Sequence, residues 1–149
     1  MAPAKDARAT AIAETENALS VDEIANYLDR TSFSADTKAL ILDIAGFTVK
    51  VGGTIVSLGR KIITFVLELL RAFPNTIFGA AMALVISMIV AGPMGAVPVI
   101  GVKLATFLKS ILLLFGMSQG ALHDMKSGVM AQQVNVFVDR LSPLAAAEQ

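Results

Sequence analysis

The sequence predicts an all-α protein: a membrane-embedded helical hairpin, preceded by a long amphipathic helix and followed by a shorter amphipathic helix. Three observations carry this prediction. The 149-residue chain is 55% hydrophobic and only 16% charged, against about 45 to 50% and about 25% in an average soluble protein. It carries no charged residue from Ala72 to Val102. The polar residues that precede that run recur at helical spacing.

Residues 1–19 are rich in Ala and mixed charge, with only isolated apolar positions, and read as a mobile N-terminal segment. They lack the apolar central region of a secretory signal, so internal apolar segments are expected to direct any membrane entry. Ser20 followed by Glu23 matches a capping box and starts a short helix from Val21 to about Arg30, with Ile24, Tyr27 and Leu28 on one face.

From Ala35 to Phe73 two readings compete. As strands, Phe47, Val49 and Val51 alternate with polar neighbours, Gly52 and Gly53 supply a two-residue turn, and Ile55 to Leu58 return. As a helix, Lys50, Thr54, Ser57, Lys61, Thr64, Glu68 and Arg71 recur at steps of four and three, and Asp36 and Asp43 extend the stripe backwards by sevens. Side chains on one face of a strand recur every second residue, so the stripe selects the helix. That helix would be about 57 Å long at 1.5 Å per residue. Its glycines at 46, 52, 53 and 59 are tolerated where helices pack closely in a membrane or bundle.

Pro74 ends the long helix, and Asn75 is the expected N-cap of the next. Thr76 to Ala91 is a near-continuous apolar helix. Gly92, Pro93, Gly95 and Pro98 then break it and turn the chain at 92–98. Val99 to Met117 returns as a second apolar helix whose charges are Lys103 and Lys109. Two helices of about 17 to 19 residues are just long enough to cross a hydrocarbon core about 30 Å thick, as spanning or re-entrant arms. Residues 118–149 hold a last amphipathic helix, from about Ala121 to Leu141, and a short Ala-rich tail.

The function classes narrow accordingly. Formal net charge is zero, with 12 basic and 12 acidic residues, and no cluster of Lys and Arg offers a nucleic-acid footprint. The absence of cysteine excludes disulfides, thiolate metal sites and thiol nucleophiles. No phosphate loop, paired-His metal motif or nucleophile elbow is present. Catalytic residues, cofactor, metal and small-molecule substrate are therefore not expected. His123, beside Asp124, reads as a surface residue, because neighbours on a helix point about 100° apart. Met82, Met88, Met94 and Met117 read as packing residues.

The candidates concern membranes and assembly instead. Lys103 and Lys109 lie within an apolar helix, where an ionisable group costs about 2.5 to 3.5 kcal/mol on insertion scales. Lys103 is near enough to the helix end to snorkel. Lys109 is not, and is expected to line a path or pair with Glu68 or Asp43. The stripe containing Lys50, Lys61, Glu68 and Arg71 is expected to face water, at the membrane surface or in an aqueous path. Gly46, Gly53, Gly79, Ala80 and Ala83 offer close-contact faces for self-association or for a larger membrane complex, and Pro93 and Pro98 shape the turn. The reading that follows is a small integral membrane protein that acts as a structural or assembly subunit of a membrane complex or homo-oligomer.

A pore-forming protein, of the phage-lysis or hairpin-toxin kind, is the alternative. Amphipathic helices around an uncharged apolar hairpin resemble, in pattern, the hydrophobic hairpin of colicin pore domains. That resemblance implies a bundle that hides the hairpin in water and inserts it later. Arg60, Lys61 and Arg71 precede the hairpin, Lys126 follows it, and its turn is uncharged. The positive-inside rule then places both termini in the cytoplasm.

Overall fold

Local chemistry sets the first elements of the chain, whose computed structural model describes residues 3–146. Helix α1 spans Pro3–Glu16 and α2 spans Val21–Asp29. The capping box of α2 is formed, with Glu23 N–H donating to Ser20 Oγ at 3.1 Å and Ser20 N–H donating to Glu23 Oε1 at 3.1 Å. Ser34 caps α3, Ala35–Ala45, by accepting the Thr37 N–H.

The single long helix expected over residues 35–73 is not formed. After α3 the chain makes a two-stranded antiparallel hairpin, β1 (Val49–Val51) and β2 (Thr54–Val56), and only then α4 (Leu58–Ala72). The register pairs Val49 with Val56, Lys50 with Ile55 and Val51 with Thr54. Gly52 and Gly53 lie at φ +57° and +82°. Two consecutive left-handed residues are what a tight hairpin turn requires and what a right-handed helix forbids. Val49, Val51 and Val56 are buried beneath the hairpin. The seven-residue recurrence from Asp36 to Arg71 thus joins three separate elements by coincidence of spacing.

Helix α5 spans Phe78–Ala91, one 3-10 turn covers Pro93–Ala96, and α6 spans Pro98–Leu114. These are the two apolar arms and the Pro/Gly turn that the sequence predicts. Pro93 and Pro98 each occupy a first helical position, where a missing N–H costs nothing. Asn75 is not the cap of α5, which starts after Ile77 without a side-chain cap. Among the described residues no single helix is long and apolar enough to cross a membrane.

The expected C-terminal helix is two. Helix α7 (Gln119–Met125) ends where Ser127 Oγ donates to the Asp124 carbonyl, and Gly128 starts α8 (Val129–Leu141). Residues 142–146 close the described chain as a 3-10 turn.

The bundle is organised around α5, which packs on α4, α6, α7 and α8. Met82, Leu84, Val85, Ile86 and Ile89 are all within 1% of complete burial. At roughly 1.5 to 3 kcal/mol per fully buried large aliphatic side chain, this one helix supplies much of the driving force for folding. Its N-terminal end is clasped by aromatic rings. The Phe33 ring centroid lies 5.4 Å from that of Phe78 and 5.9 Å from that of Phe115, the latter edge-on. A second aromatic contact, Phe65 stacked on Phe137 at 4.0 Å, joins α4 to α8.

The N-terminal segment, expected to be mobile, docks as α1, with Ala11 and Thr15 buried. Its seat is the polar stripe of α4. The Lys61 ammonium donates to the Asn17 carbonyl at 3.2 Å and lies 3.4 Å from Glu14 Oε1. Leu19 N–H donates to Thr64 Oγ1 at 3.0 Å. Lys61 is only 4% exposed, which corrects the expectation that this part of the stripe faces water.

Candidate interaction site on the apolar hairpin

The two arms of the hairpin are treated differently by the fold. Helix α6 buries Ile100, Leu104, Phe107 and Ile111, at steps of four and three, against α5 and α3. Its opposite side is open: Val102 is 68% exposed and Leu113 81%. Between them an open groove of about 660 Å3 runs along the outer side of α6, lined by Ala105, Leu108, Lys109, Leu112, Leu113 and Gly116, and closed at its far end by Met117 and Gln119. The volume falls in the range of about 300 to 1,000 Å3 typical of ligand clefts, and the lining is mostly apolar with one cation.

Lys109 stands in the middle of this groove, exposed, with apolar residues on both sides of it along the helix. Neither expected counter-charge is its neighbour there. Asp43 lines a different cleft, of about 570 Å3, together with Lys103, Phe47 and Phe107. Lys103 holds its ammonium 5.2 Å from the Phe107 ring centroid, so this cation is occupied by an aromatic face. Glu68 and Arg71 are exposed on α4, and Lys50 is exposed on β1 opposite Ile55. Lys61 is the buried tether of α1 described above. The charged candidates are therefore dispersed over four elements, and Lys109 alone lies in an apolar recess.

The small residues are also dispersed, and do not form one contact face. Gly46 caps α3 and Gly53 sits in the hairpin turn. Gly79 is buried against the Phe115 ring, with no room for a Cβ, and Ala83 is buried in the core. The close-packing side of α5 is thus consumed inside the chain. Pro93 and Pro98 are exposed at the tip of the hairpin.

No three His, Asp or Glu side chains are grouped as a metal site among the described residues. His123 and Asp124 are exposed near the end of α7. Met82 and Met94 are buried in the core. The α6 groove is not legible from sequence alone. Its signal is the spacing of Val102, Lys109 and Leu113 on the face that the buried heptad leaves free, and that spacing acquires meaning only once α5 is known to cover the other side.

By architecture the protein is a mainly helical bundle around one apolar helix, with a single small β-hairpin and an open groove on α6 among the described residues. No protein-family model matches the chain, and comparison with curated proteins and with solved structures finds no significant match.

Proposed function

We propose that this chain is a non-catalytic assembly protein that works at a membrane by helix packing, joining copies of itself or a larger membrane complex through the open face of α6. The observation that carries this reading is the asymmetry of the hairpin. Both arms are apolar in sequence, yet the fold buries one and leaves the other with Val102 exposed and with Leu113 exposed at the groove. Exposed apolar surface that is contiguous and rimmed by polar groups marks an interaction site more often than an accident of folding.

A membrane is the setting because no acidic residue occurs between Glu68 and Asp124, while Arg71, Lys103 and Lys109 do. The exposed cations of α6, Lys103 beside Asp43 and Lys109 in the apolar groove, suit anionic headgroups. With 14 and 17 residues, the arms are about 21 Å and about 26 Å long at 1.5 Å per residue, short of a hydrocarbon core about 30 Å thick. Entry from one leaflet fits these lengths better than two complete spans, and keeps both termini on the cytoplasmic side.

Carbonate extraction of membranes from expressing cells, followed by crosslinking of the pellet, tests the proposal. Retention with a crosslinked ladder is expected. Release of a monomer into the supernatant overturns it.

One observation favours a second reading, that of a pore former. The uncharged α5 buries ten of its 14 residues within its own chain, as an apolar arm held ready for insertion would. Dye leakage from anionic liposomes at low protein-to-lipid ratio would support this reading, and intact vesicles at high loading would remove it.

A further inference from the structure

We infer that α1 is a latch over the tip of the apolar hairpin, closed by Glu14, and that the phosphate of an anionic lipid headgroup opens it by taking the place of Glu14 at Lys61 and Arg140. This rests on the membrane reading above and supplies the step that frees the hairpin to reach the bilayer.

The tip is not free in the closed molecule. Residues 142–146 pack on the tip, Pro93–Ala96, and α1 packs in turn on residues 142–146, α4, α8 and β2. Ala7 and Arg8 of α1, Pro93 of the tip, and Ser142, Pro143 and Ala146 line one cleft of about 330 Å3. Met94 of the tip and Leu144 of the C-terminal turn are completely buried. Tip, C-terminal turn and α1 are thus stacked in that order, and the tip cannot lead the hairpin into a bilayer while α1 is seated.

Helix α1 is held by charge more than by apolar contact. Ile12 is the one large aliphatic side chain among its 14 residues, and it is only partly buried. Ala11 and Thr15, the side chains it buries, are small, so little apolar surface is removed from water. The clasp is Glu14, whose Oε1 stands 3.4 Å from Lys61 Nζ and 3.9 Å from Arg140 Nη1. Lys61 is 4% exposed and is the floor of this site. Arg140, with 63% of its side chain exposed, is the rim. Asp139 lines the same cleft as Glu14 and Arg140 but forms no salt bridge with either cation.

A buried ammonium is strongly destabilising without an anion, and Glu14 is the one carboxylate paired with Lys61 among the described residues. A lipid phosphate offers the same two cations charged acceptor oxygens and meets Arg140 first, at the open rim. Exchange of one anion for the other keeps Lys61 paired throughout, which departure of Glu14 into water does not. The hinge is already in place: Asn17 O accepts from Lys61 and Leu19 N–H donates to Thr64 Oγ1. With both residues anchored on α4, α1 swings away and α2 stays.

The absence of cysteine lets introduced thiols report on each step in the full chain. In Ala7→Cys/Pro143→Cys, a short thiol-reactive linker that reductant cleaves ties α1 to the C-terminal turn across the clefts they share. Carbonate-resistant binding to vesicles containing anionic lipid is expected to be lost in the linked protein and regained once the linker is cut. Ala96, exposed at the tip, is replaced by Cys and labelled with an environment-sensitive fluorophore. A blue shift is expected with anionic vesicles, and none with zwitterionic vesicles or with inorganic phosphate. Adding Glu14→Gln, which keeps the size of the side chain and removes its charge, should lower the anionic lipid concentration for half-maximal shift about tenfold, as the open population rises by that factor. Carbonate-resistant binding by the linked protein overturns the latch and leaves the membrane reading in place, and so does a Glu14→Gln variant that responds no more readily than its parent. An equal shift with zwitterionic vesicles or inorganic phosphate overturns the headgroup as the key. If the parent, the cut protein and the Glu14→Gln variant all leave the vesicles unbound, the membrane reading falls and the latch with it.

Discussion

Helices α5 and α6 are both strongly apolar, but they have different fates. Helix α5 is apolar around almost its whole circumference, and the only way to satisfy all of it is to surround it. Helix α6 carries Lys103, Thr106, Lys109 and Ser110, which are tolerable only where water or a partner reaches them. The fold obeys that difference, packing α4, α6, α7 and α8 around α5 and leaving α6 at the outside. Hydropathy averaged over a window sees one hairpin. The placement of two lysines distinguishes a structural arm from an interacting arm.

The largest effects should therefore come from α5. Ile86→Asp places a charge in a completely buried site, where an unpaired ion costs several kcal/mol. Loss of the cooperative thermal transition by circular dichroism is expected, whereas Leu113→Asp on α6 should keep the transition within about 0.5 kcal/mol of the parent and reduce association. Equal damage from the two substitutions would erase the distinction between the arms. Truncation sharpens it: Leu84→Ala should cost about 2 to 5 kcal/mol in urea unfolding, and Leu113→Ala less than about 0.5 kcal/mol.

Gly79 marks the point where the two arms meet. Adding a methyl group there forces it into the Phe115 ring, and Gly79→Ala is expected to cost about 1 to 3 kcal/mol by overpacking. A neutral result in denaturant titration would mean that the hairpin base is loosely held. Away from the hairpin, Ser20→Ala removes one N-cap hydrogen bond and should cost about 1 kcal/mol. It should leave association untouched, and a shift in oligomer size would tie α2 to the interface after all.

Local signals are legible in the sequence where partners are close along the chain. The Ser20 and Glu23 box, the Pro93 to Pro98 turn and both apolar helices are of this kind. The β-hairpin is visible as an alternative and loses to the polar stripe, because a seven-residue recurrence does not reveal that it crosses element boundaries. The positive φ angles of Gly52 and Gly53 decide the matter, and composition cannot report them. Docking of α1 is illegible for a different reason: Lys61 and Asn17 are 44 residues apart. Nothing in the mixed-charge N-terminus announces that its seat is a lysine on α4. The α7 to α8 break turns on Gly128, an ordinary-looking glycine in a periodic segment.

The tether at Lys61 has a consequence for the order in which the molecule comes apart. Helix α1 buries Ala11 and Thr15 and engages Lys61 and Arg140 through Glu14, whereas α5 buries ten of its 14 residues. Amides of α1 should exchange with solvent through local openings long before those of α5, whose exchange awaits global unfolding. A protease acting on the native protein would then meet α1 as a detachable cover. What it left behind would retain the apolar core and the α6 groove, and would have shed the Glu14 carboxylate that engages Arg140 at the end of α8.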